Sequence, residues 1–204
     1  MHQECQRQLL PFYNKMNFAK LKNKFYIDDY TKKSLIVSYG KQINDTTFKG
    51  ISYSSIEFNN KKEIISFKEI FKIIPERYRQ YFMIAVMEVN TQIPPHTDSK
   101  ILSTINIYIN TDNCLTQFYK FKNKNLKKTQ IENQTNGFLF EINDLDLTDS
   151  FIAESNDAFL LDVSTPHAVI PQGNTSINRT AIVLQSGVFN FNEVIEMLEE
   201  TGNI

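Results

Sequence analysis

Leu102-Ser103-Thr104-Ile105-Asn106-Ile107-Tyr108-Ile109 is the stretch of sequence that decides the fold. From Thr104 onward, polar side chains alternate with isoleucine, which is the period of a β-strand whose two faces differ in chemistry. In a half-buried strand the isoleucines normally face the core and the polar residues face water. We predict the reverse here: Thr104, Asn106 and Tyr108 face the interior of a barrel, and helices cover the isoleucine face.

The sequence around this stretch is a succession of short segments rich in β-branched and aromatic residues, separated by turn residues such as Pro94-Pro95 and Asn143-Asp144. The further segments are residues 81–89, 115–121, 137–142, 158–163 and 179–185. Consecutive short strands of this kind predict an antiparallel sandwich or barrel.

The flanking residues predict helices that could cover this sheet. Residues 66–69 form a capping box and open a helix, with apolar residues at helical spacing: Phe67, Ile70, Phe71 and Ile74. A closing helix is capped by Asn190 or Asn192, and its apolar stripe is Val194, Met197 and Leu198.

The chain divides into three parts of one compact domain. A mixed extension over 1–80, with a helix at 4–17 and strands at 35–38 and 51–58, packs on the barrel. The barrel itself spans 81–187, and the closing helix lies in 188–204.

Bulk composition argues against some partners. The 22 basic and 23 acidic residues give a net charge of −1, whereas proteins that grip duplex nucleic acid usually carry a basic excess. No apolar run reaches the length of a membrane span, and the first residues lack the features of a secretion signal. We therefore expect a cytoplasmic protein with no membrane or nucleic-acid partner, and the sequence indicates no particular oligomeric state.

Two of the three histidines stand beside predicted strands. In an extended segment, side chains two residues apart point the same way, so His96 and Asp98 can reach one cation. His167, which follows the segment 158–163, can supply the third ligand. Two imidazoles and one carboxylate suit Fe(II) and leave positions open for a cosubstrate and oxygen. The alternative, an ordinary surface pair, explains neither the second histidine nor the arginine twelve residues after it.

That arginine, Arg179, begins an apolar predicted strand. A guanidinium inside a β-sandwich is costly unless it meets an anion, and a planar dicarboxylate would supply one through a bidentate contact. The alternative is a surface arginine at a strand edge. Taken with the three predicted ligands, the anion-binding interpretation is favoured.

Over residues 81–187 these features resemble the double-stranded β-helix family of Fe(II)/2-oxoglutarate-dependent oxygenases. The pattern is His96-Thr97-Asp98, then His167, then the basic Arg179 on the next strand. Tyr108-Ile109-Asn110 and His167-Ala168-Val169-Ile170-Pro171 are similar to prolyl-hydroxylase-like members. Residues 157–162 are similar to the aspartyl/asparaginyl β-hydroxylase branch, and both branches stay open.

The resemblance implies a mainly β fold with flanking helices (α+β) around a double-stranded β-helix, or jelly-roll and cupin-like, core. It also implies Fe(II), the cosubstrate 2-oxoglutarate and O2, with hydroxylation of a small molecule or an amino-acid or peptide side chain. Arg179 and Tyr108 would hold the distal carboxylate of 2-oxoglutarate, and Asn106 and Thr104 would line the same cosubstrate-facing strand.

The sequence departs from the family pattern in two places, and one of them argues against a nucleic-acid substrate. The gap from His167 to Arg179 is long, which suggests a hairpin through 172–174, and Gln185 stands where nucleic-acid demethylases carry a second arginine. The basic run 119–128 is better explained as a solvated hairpin tip than as a binding surface for an acidic substrate.

The main alternative to an oxygenase is a non-catalytic, metal-binding cupin-like barrel. A cupin metalloenzyme that needs no 2-oxoglutarate and a metal-free interaction module are further alternatives.

Overall fold

A computed structural model describes residues 16–27, 40–44, 51–56, 70–98, 100–123, 128–130, 137–173 and 177–204, with the backbone alone for 40–44 and 51–56. The described chain contains the α-helix α1 (Phe191–Glu200), two further helical residues at 70–71, and two 3₁₀ turns, Glu76–Tyr81 and Ile142–Asp144. Its strands are β1 Phe18–Lys20, β2 Gly40–Asn44, β3 Ile51–Ile56, β4 Met83–Val89, β5 Ile93–Thr97, β6 Ser103–Asn110, β7 Leu115–Phe121, β8 Lys128–Gln130, β9 Phe138–Phe140, β10 Leu145–Ile152, β11 Ala158–Leu161, β12 His167–Ile170 and β13 Arg179–Ser186.

The strands form two antiparallel sheets. The larger sheet has the order β1-β11-β6-β13-β4-β3-β2, and the smaller has the order β10-β7-β12-β5-β9-β8. Successive strands from β4 to β7 alternate between the two sheets, and the strands from β10 to β13 alternate on the way back. This alternation is a double-stranded β-helix, so the predicted mainly β, jelly-roll class is confirmed. The hairpin β8–β9 is an insertion that extends the smaller sheet beside β5.

The inverted orientation predicted for β6 is confirmed. Ile105, Ile107 and Ile109 belong to a cluster on the outer face of the larger sheet, which we call the outer core. The outer core also contains apolar residues from α1 and from the segment before the first 3₁₀ turn: Val194, Met197, Leu198, Ile70, Ile73 and Ile74. Tyr108 instead belongs to the inner core between the sheets, together with Phe118, Phe159, Leu161 and Val183.

The closing helix begins at Asn190 rather than Asn192. The Asn190 side chain accepts hydrogen bonds from the backbone N–H groups of Asn192 and Glu193, and the Glu193 carboxylate accepts one from the backbone N–H of Asn190. This reciprocal capping box satisfies donors that the first turn of a helix cannot pair internally. The predicted stripe of three apolar residues is buried.

Several local predictions were wrong. Residues 93–97 form a strand, although Pro94-Pro95 predicted a turn. His167 follows β11 as predicted, but His96 and His167 themselves belong to strands, β5 and β12, that were not predicted. Proline lacks an N–H for the ladder, and the pairing of β5 with β12 shifts register between His167 and Val169. β1, β2, β8 and β10 were not predicted either, and residues 81–82 precede β4.

The N-terminal predictions are only partly testable. The predicted strand at 51–58 is present as β3, which pairs with β4 and extends the larger sheet. Asn17 is not helical and leads into β1. Met16 is not helical either. Residues 4–15 of the predicted helix, the strand at 35–38 and the capping box at 66–69 lie outside the described residues. In the described part of the chain, no helix is both long and apolar enough to cross a membrane.

Ile107→Ala should lower the free energy of unfolding by about 2–5 kcal/mol, because it removes buried methyl and methylene groups from the outer core. Ile142→Ala, at a half-exposed isoleucine, is the matched control and should change it by less than about 0.5 kcal/mol. Urea unfolding followed by circular dichroism measures both. Equal small effects would contradict the outward orientation of the β6 isoleucines.

Candidate active site

His96 and His167 lie side by side on neighbouring strands. They are directly opposite each other in the β5–β12 pairing, and their ring centroids are 4.2 Å apart. Both residues are buried. Side chains that are directly opposite in an antiparallel pair point to the same face of the sheet. The ladder therefore brings together two imidazoles that are 71 positions apart in the chain.

Each imidazole is oriented by the same local hydrogen bond. His96 Nδ1 lies 2.9 Å from the carbonyl oxygen of Pro94, and His167 Nδ1 lies 2.9 Å from that of Thr165. A carbonyl oxygen can only accept, so in each ring Nδ1 is the protonated nitrogen and donates. Nε2 is then the basic nitrogen of both rings. Histidines that bind metals usually have this second contact, which fixes the tautomer and the ring plane.

The environment keeps His167 in the form that binds a metal. Burial, reinforced by the neighbouring His96, holds the pKa of His167 well below its usual range. Desolvation disfavours the charged imidazolium, so His167 is neutral at neutral pH. A neutral imidazole has the lone pair that coordination requires.

Asp98 is half-buried and directly follows β5. Its backbone N–H donates to the carbonyl oxygen of Val163, 3.0 Å away, which ties its backbone to the segment that follows β11. Within the described residues, however, no three His, Cys, Asp or Glu side chains are arranged to hold a metal ion. The carboxylate does not complete a set with the two imidazoles. Two side-chain torsions with several low-energy rotamers set its position, and its role as third ligand stays a prediction.

Arg179 is buried at the start of β13 and faces the inside of the barrel. Its Nη2 donates to Tyr108 Oη at 2.7 Å and to Thr116 Oγ1 at 3.0 Å, and its guanidinium carbon lies 4.7 Å from the Tyr108 ring centre. Nε and Nη1 are buried without a hydrogen-bond partner among the described residues. A buried cation with unpaired donors is costly, which indicates that this position is built to receive an anion.

The polar residues of β6 form a row that leads to this guanidinium. Thr104 Oγ1 donates to Asn106 Oδ1 at 2.9 Å, and Asn106 Nδ2 donates to Tyr108 Oη at 3.5 Å. All three residues are buried on the inner face. The structure thus brings Thr104, Asn106, Tyr108 and Arg179 together, as the sequence predicted. Buried polar side chains along one wall also indicate an interior adapted to a polar ligand.

Thr116 on β7 belongs to the same cradle and was missed from the sequence. It is buried, and its hydroxyl accepts from Arg179 across the barrel. Because Tyr108 and Thr116 both accept from the guanidinium, their own hydroxyl protons are available to a ligand. The only sequence signal for Thr116 is its place on the face of β7 that also carries Phe118.

Aromatic side chains line part of the barrel interior. Phe118 lies opposite His167 in the β7–β12 pairing, with ring centroids 6.0 Å apart. The ring centroids of Phe18, on β1 of the larger sheet, and Phe151, on β10 of the smaller sheet, are 4.6 Å apart, so these rings pack between the two sheets. The rings of Phe151 and Phe159 are stacked, with their centroids 4.1 Å apart. Of these rings, Phe118 is the one shown beside the imidazole pair, where it supplies an apolar neighbour.

The residues present fit an iron ion and a dicarboxylate. Two imidazoles whose Nδ1 atoms are hydrogen-bonded to carbonyl oxygens are nitrogen donors suited to Fe(II), and a nearby carboxylate would add an oxygen donor. The unpaired Nε and Nη1 of Arg179, together with the hydroxyls of Tyr108 and Thr116, are the donors that a carboxylate group would accept from.

Comparisons with known proteins bear on the fold alone. No protein-family model matches the sequence, and no curated protein matches it. Solved structures that resemble this chain include the epimerase SnoN in complex with Fe3+, alpha ketoglutarate and nogalamycin RO, at 8% identity and a TM-score of 0.49, covering 83% of this chain and 79% of that one. E. coli ycfD has 12% identity and a TM-score of 0.45, with coverages of 88% and 52%.

Vicilin from hazelnut (Corylus avellana) has 10% identity and a TM-score of 0.40, with 75% of this chain covered. The chain spans only 32% of that vicilin and 34% of the 7S globulin of Momordica charantia. Likeness of this degree carries no argument about activity, so any function must be argued from the geometry of the site.

A small dicarboxylate such as 2-oxoglutarate should stabilise the folded protein, because it would pair the buried donors of Arg179. At roughly 100 times its Kd the gain is about 2.7 kcal/mol, which thermal unfolding detects as a higher Tm. Arg179→Met should abolish the shift, whereas Arg79→Met, at a half-buried arginine elsewhere, should preserve it. An equal shift in both variants would show that the anion binds elsewhere.

Thr116→Val keeps the shape of the side chain and removes one hydroxyl from the cradle. Hydrogen bonds to charged groups contribute about 1.5–3 kcal/mol, so 2-oxoglutarate should bind at least about tenfold more weakly. Calorimetric titration gives the affinity. Thr148→Val, at an exposed threonine on β10, is the control. Unchanged affinity in Thr116→Val would exclude its hydroxyl from the site.

Proposed function

We propose that this chain is an Fe(II)- and 2-oxoglutarate-dependent oxygenase that hydroxylates a C–H bond, with release of succinate and CO2. The observation that carries the proposal is the pairing of two features inside one barrel. One is a pair of imidazoles with fixed tautomers, and the other is a buried guanidinium with unpaired donors. Together the two features match the needs of a metal and a dicarboxylate.

His96, His167 and Asp98 are the residues that would hold the iron. The carbonyl oxygens of Pro94 and Thr165 fix the two rings, so binding requires little reorganisation of the imidazoles. The carboxylate of Asp98 supplies negative charge beside two neutral ligands, which favours a divalent cation. Removing any one of the three should weaken metal binding.

Arg179, Tyr108 and Thr116 are the residues that would hold the distal carboxylate of 2-oxoglutarate. The guanidinium supplies charge, and the two hydroxyls supply directed donors because their lone pairs already accept from Arg179 Nη2. Asn106 and Thr104 continue the buried polar row along β6 from this cradle.

The remaining contribution of the protein is orientation and exclusion of water. Iron, when bound, would supply the oxidative chemistry with O2, coupled to decarboxylation of the cosubstrate. Phe118, which lies beside His167, and the stacked rings of Phe151 and Phe159 keep the inner wall apolar. An interior closed to water protects reactive species from side reactions. The proposed substrate is a small molecule or an amino-acid or peptide side chain.

A non-catalytic, metal-binding cupin-like module is the second candidate. The observation that favours it is that Asp98 does not join the two histidines in a three-residue metal set within the described residues. Such a module would bind a metal through the imidazoles without turning over 2-oxoglutarate. Turnover therefore separates the two candidates.

The test of the proposed reaction measures succinate formed from 2-oxoglutarate with Fe(II) and O2, across a panel of free amino acids, peptides and nucleosides. The wild-type protein should form succinate with at least one member of the panel, and Asp98→Ala should reduce it to background. Asp144→Ala, at a half-buried carboxylate on a surface turn, is the matched control and should retain activity.

Two outcomes would count against the proposal in different ways. Succinate formation that is unchanged in Asp98→Ala would contradict the assignment of the metal ligands. Metal binding without Fe(II)-dependent succinate from any member of the panel would favour the non-catalytic module.

A further inference from the structure

Gly137 lies against the backbone that joins the two predicted ligands on β5. A Cβ atom built on Gly137 would overlap the carbonyl oxygen of Thr97 and would lie 2.7 Å from its carbonyl carbon and 3.2 Å from the Cα of Asp98. The added Cβ would overlap backbone atoms of Thr97, so a change of side-chain rotamer cannot relieve the overlap. Only glycine permits this approach of two backbones.

The contact occurs where the inserted hairpin pairs with the metal-ligand strand. His96 is opposite Leu139 and Thr97 is opposite Phe138 in the β5–β9 pairing. Gly137 directly precedes these residues and is buried. A displacement of β9 at Gly137 would therefore be transmitted through the ladder to the segment that carries His96 and Asp98.

A second glycine contacts the same segment on the other side of Asp98. A Cβ atom on Gly187 would clash with the carbonyl oxygen of Lys100 and would lie 3.6 Å from its carbonyl carbon. Next to it, the backbone N–H of Leu102 donates to the carbonyl oxygen of Ser186 at 2.8 Å. The backbone N–H of Asp98 is held by Val163, as described above. The segment around Asp98 is thus confined from three elements.

We propose that Gly137 and Gly187 are positioning residues that set where the Asp98 carboxylate can stand relative to the two imidazoles. This inference rests on the proposed function, because it assumes that Asp98 binds the metal. The two glycines touch neither metal nor substrate. They act by allowing β9 and the end of β13 to lie against the backbone on either side of Asp98.

The test is a double-mutant cycle that measures Co(II) affinity in the absence of oxygen, cosubstrate and substrate. Gly137→Ala should weaken Co(II) binding by about tenfold or more, the range seen when support of a metal ligand is lost. In the Asp98→Ala background the same change should alter affinity by less than about twofold, because the carboxylate through which it acts is gone. Gly187→Ala should also weaken Co(II) binding only when Asp98 is present, and the loss of affinity should be smaller.

Gly202→Ala is the control for a general loss of stability. Gly202 has a φ of +73°, so alanine is strained there, yet apart from its chain neighbours no described residue has a heavy atom within 4 Å of the added Cβ. This variant should unfold at a lower temperature while its Co(II) affinity stays within about twofold of wild type. If Gly137→Ala does not fold, the cycle is run with Gly187→Ala.

The outcomes distinguish this inference from the proposed function. A wild-type protein that binds no Co(II), or an Asp98→Ala variant that binds as well as wild type, would contradict the proposed ligand set. If Asp98→Ala weakens binding but folded glycine variants bind as tightly as wild type, the inference fails alone. If the losses of Co(II) affinity caused by Gly137→Ala and Asp98→Ala multiply in the double variant, the two changes act independently. That result would also overturn the inference.

Discussion

The burial of the Arg179 guanidinium is the constraint on which the rest of the structure depends. A cation inside a β-barrel requires polar neighbours, and β6 and β7 supply them with Tyr108 and Thr116. Because alternate residues of a strand face opposite ways, a polar inner face on β6 turns Ile105 and Ile107 outward. Those isoleucines need a cover, and α1 provides part of it. The helical layer is thus a consequence of the polar interior.

The parts of this architecture that depend on strong local patterns were predictable from the sequence. Strict alternation around Ile107 revealed β6 and its inverted orientation, and Asn190 with Glu193 gave the cap of α1. β10 was missed because its polar and apolar residues do not alternate regularly and half of them are exposed, and its pairing with β7 contains a register shift near Asp149. β5 was missed because two prolines normally end a strand, whereas the surrounding ladder holds them extended here.

The residues of the candidate site fall into the same two groups, those that the sequence reveals and those that it does not. His96, His167 and Arg179 could be selected because imidazoles are scarce in this chain and a guanidinium is unexpected at the start of an apolar strand. Thr116 and Gly137 could not, since a threonine in a strand and a glycine before one are common. Their importance comes from contacts across the barrel or between strands, which only the three-dimensional arrangement reveals. The exact position of the Asp98 carboxylate is likewise outside the reach of sequence patterns, because it depends on side-chain torsions.

The central claim is that the two paired imidazoles bind one metal ion. Anaerobic calorimetric titration with Fe(II) tests it most directly, because it counts sites without requiring a substrate. The account predicts one Fe(II) per chain for the wild-type protein and loss of that site in both His96→Ala and His167→Ala. Undiminished binding in both variants, or no binding by the wild-type protein, would contradict it.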